Sequence, residues 1–190
     1  MNESTKSNGT EEDIPAIVTV GAKEDEKFLH RKTVPFDFSK YTRMEITRLL
    51  NRMRRTMKEA SGIGLSANQI GLDVQMFIAQ VPDSQGGAKF YAVFNPKIEK
   101  VGGEKLLLEE GCLSVPGKYG KVERQERVVL GGLDRNGKPL KIKAWGLLAH
   151  VFQHETDHLN GILFIDKAKE VYDTPQSERL QEREEKMAHS

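Results

Sequence analysis

The segment His154-Glu155-Thr156-Asp157-His158 places two imidazoles four residues apart with a carboxylate beside the first. On a helix that spacing puts both rings on one face about a turn apart, where one metal ion can join them. Such an ion lowers the pKa of bound water toward neutrality, and an adjacent carboxylate can move the proton from nucleophile to leaving group. Hydrolysis of an amide needs both acts. A bare pair of histidines would read equally well as surface or core residues of a helix, and Glu155 between them tips the reading toward chemistry.

A catalytic tetrahedral site also needs a third protein ligand and an open fourth position. Zincin proteases take their further ligand downstream, where this chain has only His189, next to its last residue. The single cysteine, Cys112, lies in Glu110-Gly111-Cys112-Leu113-Ser114, just before Pro116-Gly117. A thiolate in that turn would bind iron, zinc, cobalt or nickel strongly, although a lone cysteine is more often buried and unreactive. One cysteine excludes an intramolecular disulfide framework and suits a reducing compartment. A third cluster, Gly62-Ile63-Gly64-Leu65-Ser66-Ala67-Asn68-Gln69, carries two glycines that permit close backbone approach to a ligand. It does not read as a nucleotide loop, because no strand precedes it and no third glycine is in register.

Elements must bring these clusters together. The periodic apolar residues Ile46, Leu49, Leu50, Met53 and Met57 indicate a helix over 41–60, with Ser39 as candidate N-cap and Gly62 just past its end. Short β-type runs follow at 74–79, 90–94, 106–108, 128–130 and 140–144, with Asn136-Gly137 marking a hairpin between the last two. A second helix should run from Gly146 through Leu159 and stop at Asn160-Gly161, carrying both histidines. Strands clustered between helices indicate an α+β fold, with mainly antiparallel sheets packed around a central metal-binding helix.

The chain's 190 residues suit one domain, here 14–166. Residues 1–13 have one apolar side chain, Met1, and are expected to be a disordered tail; 167–190 are expected to form a charged C-terminal helix or tail. Lys and Arg number 29 against 28 for Asp and Glu, a balance that predicts neither a polyanion partner nor direct nucleic-acid recognition. No apolar run approaches the roughly 18 residues that span a bilayer, and the N-terminal residues lack the pattern of a signal peptide. A cytoplasmic protein without membrane association is expected.

In this order and spacing, Gly62-Ile63-Gly64-Leu65-Ser66-Ala67-Asn68-Gln69, Glu110-Gly111-Cys112-Leu113-Ser114 and Gln153-His154-Glu155-Thr156-Asp157-His158 resemble the three signature motifs of the peptide deformylases. The resemblance implies removal of the formyl group from the N-terminal formylmethionine of new polypeptides, by attack of metal-bound hydroxide on the formyl carbonyl. It implies Cys112, His154 and His158 as metal ligands, Glu155 as general acid/base, and Gln69 with the Leu113 backbone N–H as oxyanion donors. It implies one divalent metal ion per chain, ferrous iron as the native metal, with zinc, nickel or cobalt able to replace it. The methionine pocket would be made by Ile63, Leu108, Leu147, His150 and Val151, with Glu110 beside it and the Gly64 and Leu113 backbones holding the peptide as an added strand.

Three positions depart from the family's usual pattern: Ser66 stands for alanine, His150 for an apolar residue and Tyr119 for an arginine. Ser66 is expected to matter little and His150 only to line the pocket. A generic HExxH peptidase and a noncatalytic metal-binding module are the rival readings; a structural zinc would prefer four protein ligands. The basic residues Arg43, Arg48, Arg52, Arg54, Arg55 and Lys58 offer a transient ribosome contact or, as the favoured reading, a solvated helix face.

Overall fold

A computed structural model describes residues 15–83 and 86–173. The 1–13 tail and residues 174–190 of the C-terminal segment lie outside the described residues. Helix α1 (Lys23–Leu29) is followed by α2 (Arg43–Glu59). Thr42, not Ser39, caps α2: its hydroxyl accepts from Glu45 N while Glu45 Oε2 accepts from Thr42 N at 2.7 Å, a reciprocal box that satisfies two helix-end donors. Ser39 instead sits in a short 3-10 turn and bonds to Asp37. At the other end Ser61, at φ 55°, makes the left-handed turn. Gly62 is needed for space, because a Cβ there would lie 2.8 Å from Leu113 Cδ1.

Strands β1 (Gly64–Ser66), β2 (Met76–Pro82), β3 (Ala88–Cys112), β4 (Val115–Leu133) and β5 (Pro139–Trp145) form an antiparallel sheet in the order β1-β2-β3-β4-β5. The runs expected at 90–94 and 106–108 are one strand of 25 residues. Asn95 and Gly102-Gly103 lie at register shifts that bend the strand without ending it. Asn95, at φ 49°, also bonds through its side chain to the backbone of Phe36 on both sides. The β4–β5 turn forms at Asn136-Gly137 as expected, with Asp134 accepting from Asn136 N and Lys138 N.

Helix α3 (Gly146–Leu159) has the expected bounds and ends before Gly161, where a Cβ would meet the His30 carbonyl at 2.4 Å. Strand β2 has both faces covered. Its Met76 and Ile78 pack with Ile46, Leu50, Met53 and Met57 of α2, while Phe77 and Ala79 pack with Ala149 and Phe152 of α3. Burial of a large apolar side chain contributes about 1.5–3 kcal/mol, so this doubly covered strand ties both helices to the sheet. A third cluster joins Leu29, Val115, Val122, Leu163 and Phe164 beneath α4 (Phe164–Lys167). Beyond α4 the chain is neither helix nor tail at first: β6 (Val171–Tyr172) pairs with Tyr119 and Gly120 of β4. The Tyr172 hydroxyl also donates to Glu109 at 2.5 Å.

Candidate active site

The register shift between Gly111 and Cys112 ends β3 beside α3, where His154 and His158 stand one turn apart. The ligand atoms of Cys112, His154 and His158 all lie within 4.8 Å of one another. Cys112 Sγ is 3.0 Å from His158 Nε2, which is 3.2 Å from His154 Nε2. Burial works against a thiolate at Cys112, but the charge of His158 and bonds from both imidazoles outweigh it and bring the thiol down to about 5. A thiolate and two imidazoles converging on one point fit a divalent transition-metal ion.

Below His154 lies a buried carboxylate. Glu110 Oε1 accepts from Arg124 Nε at 2.5 Å, and Oε2 accepts from Arg124 Nη2 at 2.9 Å and from His154 Nδ1 at 2.7 Å. His150 Nε2 approaches Oε1 to 2.9 Å. Burial would raise the Glu110 pKa, but the contacts from His150, His154 and Arg124 hold it far below the ordinary carboxylate range. The bond to Glu110 keeps the His154 proton on Nδ1 and leaves Nε2 free as a ligand. Arg124 also bonds Asp157, which accepts from Lys167 at 2.6 Å.

Glu155 is buried, and burial raises its carboxyl pKa, opposed by the imidazole charges of His154 and His158. The buried Ser66 hydroxyl donates to Glu155 Oε2 at 2.6 Å, so the departure from alanine reaches the candidate acid/base directly. Gly64 makes room on the other side: a Cβ there would lie 2.2 Å from Glu155 Oε1. Gln69 Oε1 accepts from Ser66 N at 2.9 Å, which turns its amide nitrogen toward Cys112 Sγ at 3.5 Å and Ser114 Oγ at 3.2 Å.

These groups border a cleft of about 620 Å³. Ile63, Gly64, Gln69, Glu110, Cys112, Leu113, Leu147, His150, Val151, His154 and Glu155 line it, and His158 lies deeper. Leu108, expected in the methionine pocket, is not among the lining residues; it sits further along β3, half-buried opposite Val122. Tyr119 lines the cleft with its ring against Gly111. Arg124 and Asp157 were missed as site residues. The signal for Arg124 was its place in the core-facing phase of β4, shared with the buried Val122, Val128 and Leu130. His150 does more than line the pocket, since it touches Glu110. Of the basic residues on α2, Arg54 is engaged locally, stacked on Phe90 and bonded to Gln80.

Residues 15–173 match the family model described as Polypeptide deformylase. A peptide deformylase of Halothermothrix orenii is 48% identical over 119 residues, which cover 63% of this chain and 75% of that protein. The crystal structure of a Synechococcus elongatus peptide deformylase in complex with actinonin superposes with a TM-score of 0.73 at 34% identity, covering 84% of this chain and 81% of that one. The Met-Ala-Ser-bound class I type b peptide deformylase of Acinetobacter baumannii gives 0.72 at 31% identity, over 82% and 98%. The match to the family model spans most of the described chain and includes all three motif clusters: this chain belongs to the polypeptide deformylases, a family of metal-dependent hydrolases.

Proposed function

We propose that the protein removes the formyl group from the N-terminal formylmethionine of newly synthesised polypeptides in the cytoplasm, with residues 14–166 as the catalytic domain and α3 as the central helix that holds one divalent metal ion. The observation that carries this reading is the convergence of Cys112, His154 and His158 at a cleft that also contains Glu155 and Gln69. Ferrous iron is the native ion in this reading, and zinc, nickel or cobalt suit the same donors. When bound, the ion supplies Lewis acidity that makes water nucleophilic near neutral pH.

The chain's own residues do the rest. Glu155 accepts a proton from water as the water oxygen bonds to the formyl carbon, then returns it to the amine nitrogen as the C–N bond breaks, leaving formate and a free α-amine. Ser66 holds Oε2 of that carboxyl, which fixes the direction in which Oε1 points. The Gln69 amide and the Leu113 backbone N–H donate to the formyl oxygen as it gains negative charge, and one preorganised donor of this kind contributes about 3 kcal/mol. Ile63, Leu147, His150 and Val151 receive the methionine side chain beside Glu110, while the Gly64 and Leu113 backbones pair with the peptide. The Met-Ala-Ser bound to the Acinetobacter baumannii relative has the sequence that deformylation of formyl-Met-Ala-Ser would leave.

The test is formate release from formyl-Met-Ala-Ser beside incubation with unformylated casein. Formate release with intact casein supports deformylation; casein cleavage without formate release favours a general peptidase. A transient ribosome contact through α2 belongs to the same reading, and it requires co-sedimentation to fall on charge reversal at Arg54, Arg55 and Lys58. Among the described residues no helix is long and apolar enough to cross a membrane.

A further inference from the structure

His150 is one turn before His154 on α3, so its side chain shares a face with the metal-ligand pair. Its ring forms part of the cleft wall and is also mostly buried, with 17% of the side chain exposed. Glu110, 1% exposed, has its two oxygens divided evenly: Oε1 meets Arg124 Nε at 2.5 Å and His150 Nε2 at 2.9 Å, while Oε2 meets Arg124 Nη2 at 2.9 Å and His154 Nδ1 at 2.7 Å. Two nitrogens against each oxygen fix both the position and the tilt of the carboxylate plane, and that tilt aims Oε2 at His154.

We propose that His150 is a positioning residue for the metal centre, acting as a donor to Glu110 and through it fixing the ring of His154. The inference rests on the metal site argued above. It makes His150 a mechanical link between the methionine pocket and the metal: a side chain entering the cleft presses on the same ring that steadies Glu110. An apolar residue at 150 would shape the pocket but leave Oε1 with Arg124 alone.

The test compares zinc-loaded wild-type protein with His150→Leu and His150→Gln, following transfer of zinc to a chromogenic chelator and, separately, kcat and KM. Leucine fills the space without a donor, whereas the glutamine amide can reach Glu110 from about the position of the imidazole Nε2. His150→Leu is expected to release zinc about threefold faster or more, short of the roughly 10–100-fold typical of a direct partner of a metal ligand. His150→Gln should release it at a rate close to wild type while its KM still shifts, because the pocket wall has changed. Zinc release from His150→Leu at the wild-type rate, or equal acceleration in both variants, overturns the proposal and leaves His150 a pocket residue only. Wild-type protein that takes up no zinc overturns the metal-site reading itself, and this inference with it.

Discussion

Arg124→Met removes the cation that joins the buried Glu110 to the partly buried Asp157. Arg124 is 3% exposed and spans Glu110, 1% exposed, and Asp157, 15% exposed. Asp157 keeps Lys167 at 2.6 Å in the variant, so the uncompensated charge falls on Glu110, left with only its two histidine contacts. Breaking a buried pair from one side costs about 3–5 kcal/mol, because the desolvated partner stays behind. Against a total stability of about 5–15 kcal/mol that is a large share, and at roughly 2–4 °C per kcal/mol it lowers the melting temperature by about 6–20 °C. Urea denaturation of the zinc-loaded proteins measures it. Adding Glu110→Gln removes the stranded charge, so the double variant should recover part of the loss. The loss should also narrow in acid. A carboxyl with a depressed folded pKa contributes stability that is present above its unfolded value of 4.5 and lost as pH falls toward the folded value. A loss below about 1 kcal/mol at neutral pH, set against the range above, would refute the reasoning.

Gly64→Ala should lower kcat by about 10²–10⁴-fold with a smaller change in melting temperature, because the added Cβ would lie 2.2 Å from Glu155 Oε1 and must displace the acid/base; steady-state kinetics at unchanged metal content measures this. Thr42→Ala should cost about 1 kcal/mol in urea denaturation and leave formate release unaltered, since it removes the α2 cap far from the cleft. His30 should titrate above 6.5 by NMR: burial works to lower its pKa, but bonds to the Glu26 carbonyl and to Asp166 outweigh that. Its contribution to stability is then full below 6.5 and lost as pH rises through the folded pKa, and Asp166→Asn should bring the titration down.

Much of the site was legible because its chemistry is local in the chain. His154 and His158 are joined by a single helical turn, and the apolar periods of α2 and the stop signal at Asn160-Gly161 depend on near neighbours. What stayed hidden depends on distant partners. Nothing near Arg124 announces Glu110 and Asp157, 14 and 33 residues away, and Ser66 gave no hint of a hydroxyl bond across 89 residues to Glu155. The length of β3 was missed for a related reason: Asn95 and Gly102-Gly103 have turn chemistry, yet pairing with β4 carries the strand through them. His150 reads on the helix only as one more residue on the stripe, and its second contact comes from another strand.

The most direct test of the central claim is metal content and formate release measured together on wild type, Glu155→Gln and Cys112→Ala. Wild type should hold one metal ion per chain and release formate from formyl-Met-Ala-Ser. Glu155→Gln should keep the metal while losing about 10²–10⁴-fold in kcat, and Cys112→Ala should lose both metal and activity. Near-normal turnover by Glu155→Gln, or a Cys112→Ala protein that stays metal-replete and active, would contradict the roles assigned here.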